Sequence, residues 1–89
     1  MPRAVAEVAN RLGLHARPSA KLTQLATQYS CEVWLERDGR RVNAKSIMGV
    51  MMLAASQGTK LTIETEGEDS EAALQAIVEL IASRFGERE

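Results

Sequence analysis

A chain of 89 residues is the size of one small domain, expected to span residues 1–89, and at that length its core is modest. Eleven Lys and Arg against twelve Asp and Glu leave a net charge of −1, and there is one each of Trp, Tyr and Phe, so neither the basic stripe nor the stacking platform of a nucleic-acid binder is present. One His and one Cys fall short of the ~4 ligands of a structural zinc site, Cys31 has no second cysteine to pair with, and no apolar run approaches the ~18 residues of a membrane span; the expectation is a cytoplasmic monomer with no metal, no cofactor and no membrane contact.

Residues 3–9 place Ala4, Ala6 and Val8 on one side and Arg3 and Glu7 on the other, which predicts a first strand. Gly13 breaks the chain, and from Ala16 the apolar spacing becomes helical, with Leu22, Leu25, Ala26 and Tyr29 at i, i+3, i+4 and i+7. Residues 31–36 alternate again, Cys31, Val33 and Leu35 inward and Glu32, Trp34 and Glu36 outward, with Trp34 on a wet face. Asp38-Gly39 predicts a two-residue hairpin leading into a strand over 40–44. Ser46 is placed to cap a helix from Ile47 that ends near Gly58. Leu61, Ile63 and Thr65 alternate in a fourth strand, and Asp69 or Ser70 caps a last helix with the stripe Leu74, Ile77, Val78, Ile81 and Phe85, stopped by Gly86. The order βαββαβα predicts an α+β open-faced β-sandwich, a four-stranded antiparallel sheet with three helices on one face.

The stretch "NRLGLHARPSAKL", Asn10 to Leu22, holds the only histidine. His15 stands just before the first turn of a helix, where backbone N–H groups lack intrahelical partners and the helix dipole adds about half a positive charge. Such an end accepts anions. Arg17 adds a planar fork suited to phosphate oxygens, and Pro18 fits a first turn because its missing N–H costs no helix bond there. In surroundings that positive, His15 is expected to be a neutral nucleophile able to accept a phosphoryl group, and with no metal site, second base or cleft in view, a relay fits better than an enzyme. The plain alternative is a histidine that only caps the helix or satisfies a buried polar contact.

Two stretches, "GLHARPSAKL" and "KSIMGVMMLAASQGTKLTI", together with the helix start "GEDSEAAL", resemble the HPr family, the histidine-containing phosphocarriers of the bacterial phosphoenolpyruvate-dependent phosphotransferase system. The resemblance implies that His15 takes a phosphoryl group on Nδ1 from enzyme I and passes it to an enzyme IIA domain, with Arg17 supporting the phosphohistidine. It also implies that Ser46 is a regulatory target of HPr kinase/phosphorylase, and that an apolar patch beside it docks enzyme I. The residues themselves point the same way. Ile47, Met48, Val50, Met51, Met52 and Leu53 make the second helix apolar nearly all round, and a short helix on a one-layer sandwich cannot bury every face. Ala16, Ala20, Ile47, Met48 and Met51 are the expected partner-binding residues. Both helix entrances are expected to open on the same edge of the sandwich, so that enzyme I would cover both when it approaches His15. Gln24 and Thr27 are uncharged where family members that bind the carbon-catabolite regulator often carry bases, which argues against that partner here. "ARPS" and "MMLAA" also resemble the nitrogen-related branch. The alternative function is a purely regulatory HPr-like binding protein switched through Ser46.

Overall fold

The computed structural model describes residues 2–88. Strand β1 (Arg3–Glu7) is followed by helix α1 (Ala16–Thr27), the hairpin of β2 (Glu32–Arg37) and β3 (Arg40–Asn43), helix α2 (Ile47–Met52), strand β4 (Lys60–Glu66), helix α3 (Ser70–Ala82) and a 3₁₀ turn, Arg84–Gly86. The strands form one antiparallel sheet in the order β1-β4-β2-β3. The three helices cover one face, which is the open-faced sandwich that the hydrophobic alternation predicts.

The alternation carries through to burial. Val33 and Leu35 of β2 and Leu61, Ile63 and Thr65 of β4 point under the helices, where they meet Leu22 and Ala26 of α1, Val50 of α2, and Ala73, Ile77 and Ile81 of α3. Each large aliphatic side chain fully buried there contributes on the order of 1.5–3 kcal/mol relative to exposure. Thr65 is the one polar residue of β4 on this face, and its hydroxyl donates to the Ser70 carbonyl at 2.8 Å. On the opposite face Trp34 is half-buried rather than open, because the Arg41 guanidinium lies 4.8 Å from its ring centroid while also pairing with Glu64. Asp38 (φ 49°) and Gly39 (φ 80°) form the expected hairpin turn with positive φ at both positions.

Three expectations fail, each for a tertiary reason. Helix α2 ends at Met52, not near Gly58. Ala54 turns left-handed (φ 50°), and the carbonyls at the helix end are taken by the neighbouring hairpin: Arg37 donates to the Leu53 and Ala54 oxygens at 2.6 and 3.0 Å, and Arg40 donates to Met52 at 2.9 Å. Helix α3 likewise stops at Ala82 rather than running to Gly86. Arg84 (φ 59°) and Phe85 (φ 56°) both turn left-handed, so Phe85 reaches the core from a tight turn and not from the helical stripe; Leu74 and Val78 are only half-buried, with Ala73 taking the inner position.

The third correction concerns the two helix entrances. The Leu14 N–H donates to the Ala55 carbonyl at 2.8 Å, which joins the start of α1 to the segment after α2. The Lys45 ammonium donates to the Tyr29 carbonyl at 2.7 Å, which joins the start of α2 to the end of α1. The helices therefore run antiparallel. His15 and Ser46 lie at opposite ends of the pair, separated by roughly the 18 Å length of a twelve-residue helix.

Candidate functional site

The segment before α1 is built as a rigid turn. Asn10, fully buried, donates from Nδ2 to the Gly13 carbonyl at 2.7 Å, while the Gly13 N–H donates to the Asn10 carbonyl at 3.2 Å. Gly13 has φ +66°, and a Cβ there would collide with the Ala55 carbonyl, so only glycine lets this turn seat against the chain after α2. His15 follows as the N-cap residue of α1, in extended conformation (φ −79°, ψ −172°). Its carbonyl accepts the first helical bond from Ser19 at 3.0 Å, but its side chain makes no capping bond. That sets aside the capping form of the plain alternative; its other form, a histidine held in a polar contact, stands beside the functional one. Among the described residues the Ala16 and Arg17 N–H groups have no backbone partner, and Pro18 sits in the first turn as its chemistry favours.

The imidazole turns instead toward the C-terminal tail. His15 Nε2 lies 2.9 Å from Glu87 Oε2, and Asn10 Nδ2 donates to the other oxygen, Oε1, at 3.0 Å. The ring is about one-third exposed (35%) and the carboxylate 18% exposed. Burial of Phe85 and a 2.7 Å bond from the Lys21 ammonium to the Phe85 carbonyl bring the tail here. Around the pair lies an open depression of about 820 Å³ whose charged rim is Arg11, Arg17, Lys21 and Arg88. Among the described residues four cations and one carboxylate line the depression. The surroundings of His15 are nevertheless not uniformly positive as the sequence suggests, because Glu87 places a negative charge directly on Nε2. Among the described residues no group of three or more His, Cys, Asp or Glu side chains could hold a metal.

At the other end of the helix pair, Ser46 is the N-cap of α2, and its hydroxyl accepts from the Gly49 N–H at 3.2 Å. It is exposed, as are Ile47, Met48 and Met51, with Met48 reaching 67%. Ala16 is exposed and Ala20 half-buried on the adjoining helix. Met52 and Leu12, both more than half exposed, extend this apolar surface and were not among the expected partner-binding residues; Leu12 lines the depression beside His15. The structure thus brings His15 and Arg17 together, sets Ser46 apart, and adds Asn10 and Glu87, which sequence spacing alone does not link to the histidine.

Asp69, at the entrance of α3, is used in a third way. It turns left-handed (φ 56°) and makes no side-chain cap; its carboxylate accepts from the Ser30 N–H and hydroxyl at 3.1 and 3.3 Å and from the Cys31 N–H at 3.1 Å. The Ser30 backbone bond above all holds its pKa below the ordinary 3.8; desolvation opposes it, and the bonds with Cys31 and the Ser30 hydroxyl add to the lowering. Burial, reinforced by Asp69, pushes the Cys31 thiol up from its ordinary value, which makes it a poor nucleophile.

Comparison with known proteins agrees with this geometry. Residues 3–83 match the family described as the PTS HPr component phosphorylation site. The chain is 58% identical over 82 residues to the phosphocarrier protein HPr of Cupriavidus necator, covering 92% of each chain. It superposes on HPr from Thermoanaerobacter tengcongensis with a TM-score of 0.96 at 47% identity, covering all of both chains, and on an HPr dimer from the same organism with a TM-score of 0.79 at 48% identity, covering 98% of this chain and 100% of that one. Proteins of this name are carriers of a phosphoryl group rather than enzymes, and among the described residues no helix is long and apolar enough to cross a membrane. A histidine at an open, cation-rimmed helix entrance and a family match spanning nearly the whole chain lead to one assignment: this chain belongs to the HPr family of phosphocarrier proteins of the phosphotransferase system.

Proposed function

We propose that the protein accepts a phosphoryl group from phosphorylated enzyme I on Nδ1 of His15 and transfers it to an enzyme IIA domain. The observation that carries this reading is an imidazole freed from capping at a helix entrance with unpartnered N–H groups, inside a depression rimmed by four cations. Arg17, which makes no ion pair among the described residues, supports the incoming phosphoryl oxygens. Enzyme I docks along the ridge of Ala16, Ala20, Ile47, Met48 and Met51. Methionines suit such a surface because their flexible, polarisable side chains adapt to more than one partner.

Ser46 is the regulatory site, phosphorylated by HPr kinase/phosphorylase. A phosphate there adds about −1.5 to −2 charges at a helix N-terminus, which the dipole tolerates, so the fold persists while the docking ridge turns anionic at one end. Because Ser46 is far from His15, its effect passes through the shared docking ridge and not through direct contact with the histidine. A single copy encloses its own core, which supports a monomer as the working form. The compartment consistent with these partners is the cytoplasm.

The test is incubation with phosphoenolpyruvate and enzyme I, followed by location of acid-labile phosphate. Phosphate on His15 Nδ1 is the expected result. Its absence, with HPr kinase/phosphorylase still labelling Ser46, would instead establish a purely regulatory binding protein.

A further inference from the structure

The contact between His15 and the tail has a chemical consequence that rests on the phosphocarrier reading above. An ionised carboxylate only accepts hydrogen bonds, so the 2.9 Å contact from Glu87 Oε2 requires a proton on His15 Nε2. In the neutral ring the lone pair then belongs to Nδ1. Glu87 is itself held: Asn10 is fully buried, its Nδ2 group is shared between the Gly13 carbonyl and Glu87 Oε1, and this fixes the Asn10 amide as the donor toward the tail. We propose that Glu87 is a positioning residue for phosphoryl transfer, holding His15 as the Nε2–H tautomer with Nδ1 free to attack, and that Asn10 orients Glu87.

The electron and proton balance is simple. The Nδ1 lone pair forms the new N–P bond while the bond from phosphorus to the donor atom breaks, and its electron pair leaves with the donor. No proton leaves or joins His15. The ring, now carrying both N–P and Nε2–H, is cationic, and the carboxylate on Nε2 offsets that charge as it develops. Onward transfer reverses the step: the N–P electron pair returns to Nδ1 and the neutral Nε2–H ring is restored. The division of labour follows, with Arg17 on the rim of the depression available to the phosphoryl oxygens and Glu87 set against the ring nitrogen that does not react.

Glu87→Gln gives the sharpest test. Asn10 still donates toward position 87, so it draws the amide oxygen and leaves the amide NH₂ aimed at His15 Nε2. That forces the ring proton onto Nδ1 and blocks the nucleophile without altering its place. Imidazole ¹⁵N NMR of the unphosphorylated full chain, at a pH where the ring is neutral, is expected to show Nε2–H in wild type and a shift toward Nδ1–H in Glu87→Gln. The initial rate of phosphorylation by enzyme I and phosphoenolpyruvate is expected to fall roughly tenfold or more, since loss of the carboxylate that sets a reactive imidazole's tautomer lowers rates at least that much. Glu87→Ala, which leaves the ring to solvent, is expected to fall between the two. Wild type protonated on Nδ1, or Glu87→Gln with wild-type tautomer or wild-type rate, overturns the proposal. The two readings fail separately: a wild type that is never labelled on His15 refutes the phosphocarrier function, whereas the tautomer measurement needs no phosphoryl donor.

Discussion

The entrances of α1 and α2 occupy the same helical position and use it in opposite ways. At α2 the N-cap side chain does the capping: Ser46 Oγ accepts from the Gly49 N–H, so one donor of the entrance is taken by its own cap. At α1 the N-cap side chain abandons its helix for Glu87, and the entrance stays open to an anion. The difference shows that an N-cap residue identifies a helix start but not its use, which depends on where the side chain is drawn by the rest of the fold.

Replacing the open entrance should have the largest effect. His15→Ala is expected to abolish labelling from phosphoenolpyruvate and enzyme I while melting near wild type, since the ring is one-third exposed and makes no cap. Retained acid-labile phosphate in this variant would place the acceptor elsewhere, and unfolding would show that the His15–Glu87 contact is chiefly structural.

At the capped entrance the two substitutions should separate. Ser46→Asp keeps a capping oxygen but adds a charge to the edge of the apolar ridge, where dehydrating it against a partner costs up to several kcal/mol. The expected result is a slower initial rate of phosphorylation by enzyme I with stability close to wild type, and a larger effect for the phosphorylated serine. Ser46→Ala should lose about 1 kcal/mol of stability and relay normally. Equal rates for all forms would leave Ser46 as a cap alone.

The entrance of α3 sharpens the comparison further, with the smallest effect. The pKa of Asp69 is depressed in the folded protein, so its bonds to Ser30 and Cys31 stabilise the fold above the ordinary aspartate value of 3.8 and are lost as pH falls through that value and below it. Asp69→Asn should therefore be less stable than wild type near neutrality, with the gap narrowing in acid. A urea midpoint difference that does not change with pH would show that the carboxylate charge is not what holds this loop.

Much of this was legible before folding was considered. Alternation at Val33, Leu35, Leu61 and Ile63 and the Asp38-Gly39 turn are local signals, and the sheet and hairpin follow them. The helix starts were legible because caps are local too. What escaped was set at a distance. The end of α2 depends on Arg37 and Arg40 reaching over from the hairpin, and Glu87 meets His15 across 72 positions because Phe85 sinks into the core. No periodicity encodes either contact. The candidate site was therefore half visible, its histidine and arginine in one motif and its carboxylate in a tail with no motif.

The six residues of α2 are too few to persist as a helix by their own hydrogen bonds. They are pinned from outside, by Ser46 and the Lys45–Tyr29 bond at one end and by Arg37 and Arg40 at the other, with Val50 alone buried between. The methionines thus stand on a scaffold already ordered before anything touches them. If a partner docks on this ridge as proposed, it spends little on arranging backbone, which favours a small contact that forms quickly, holds briefly and lets go.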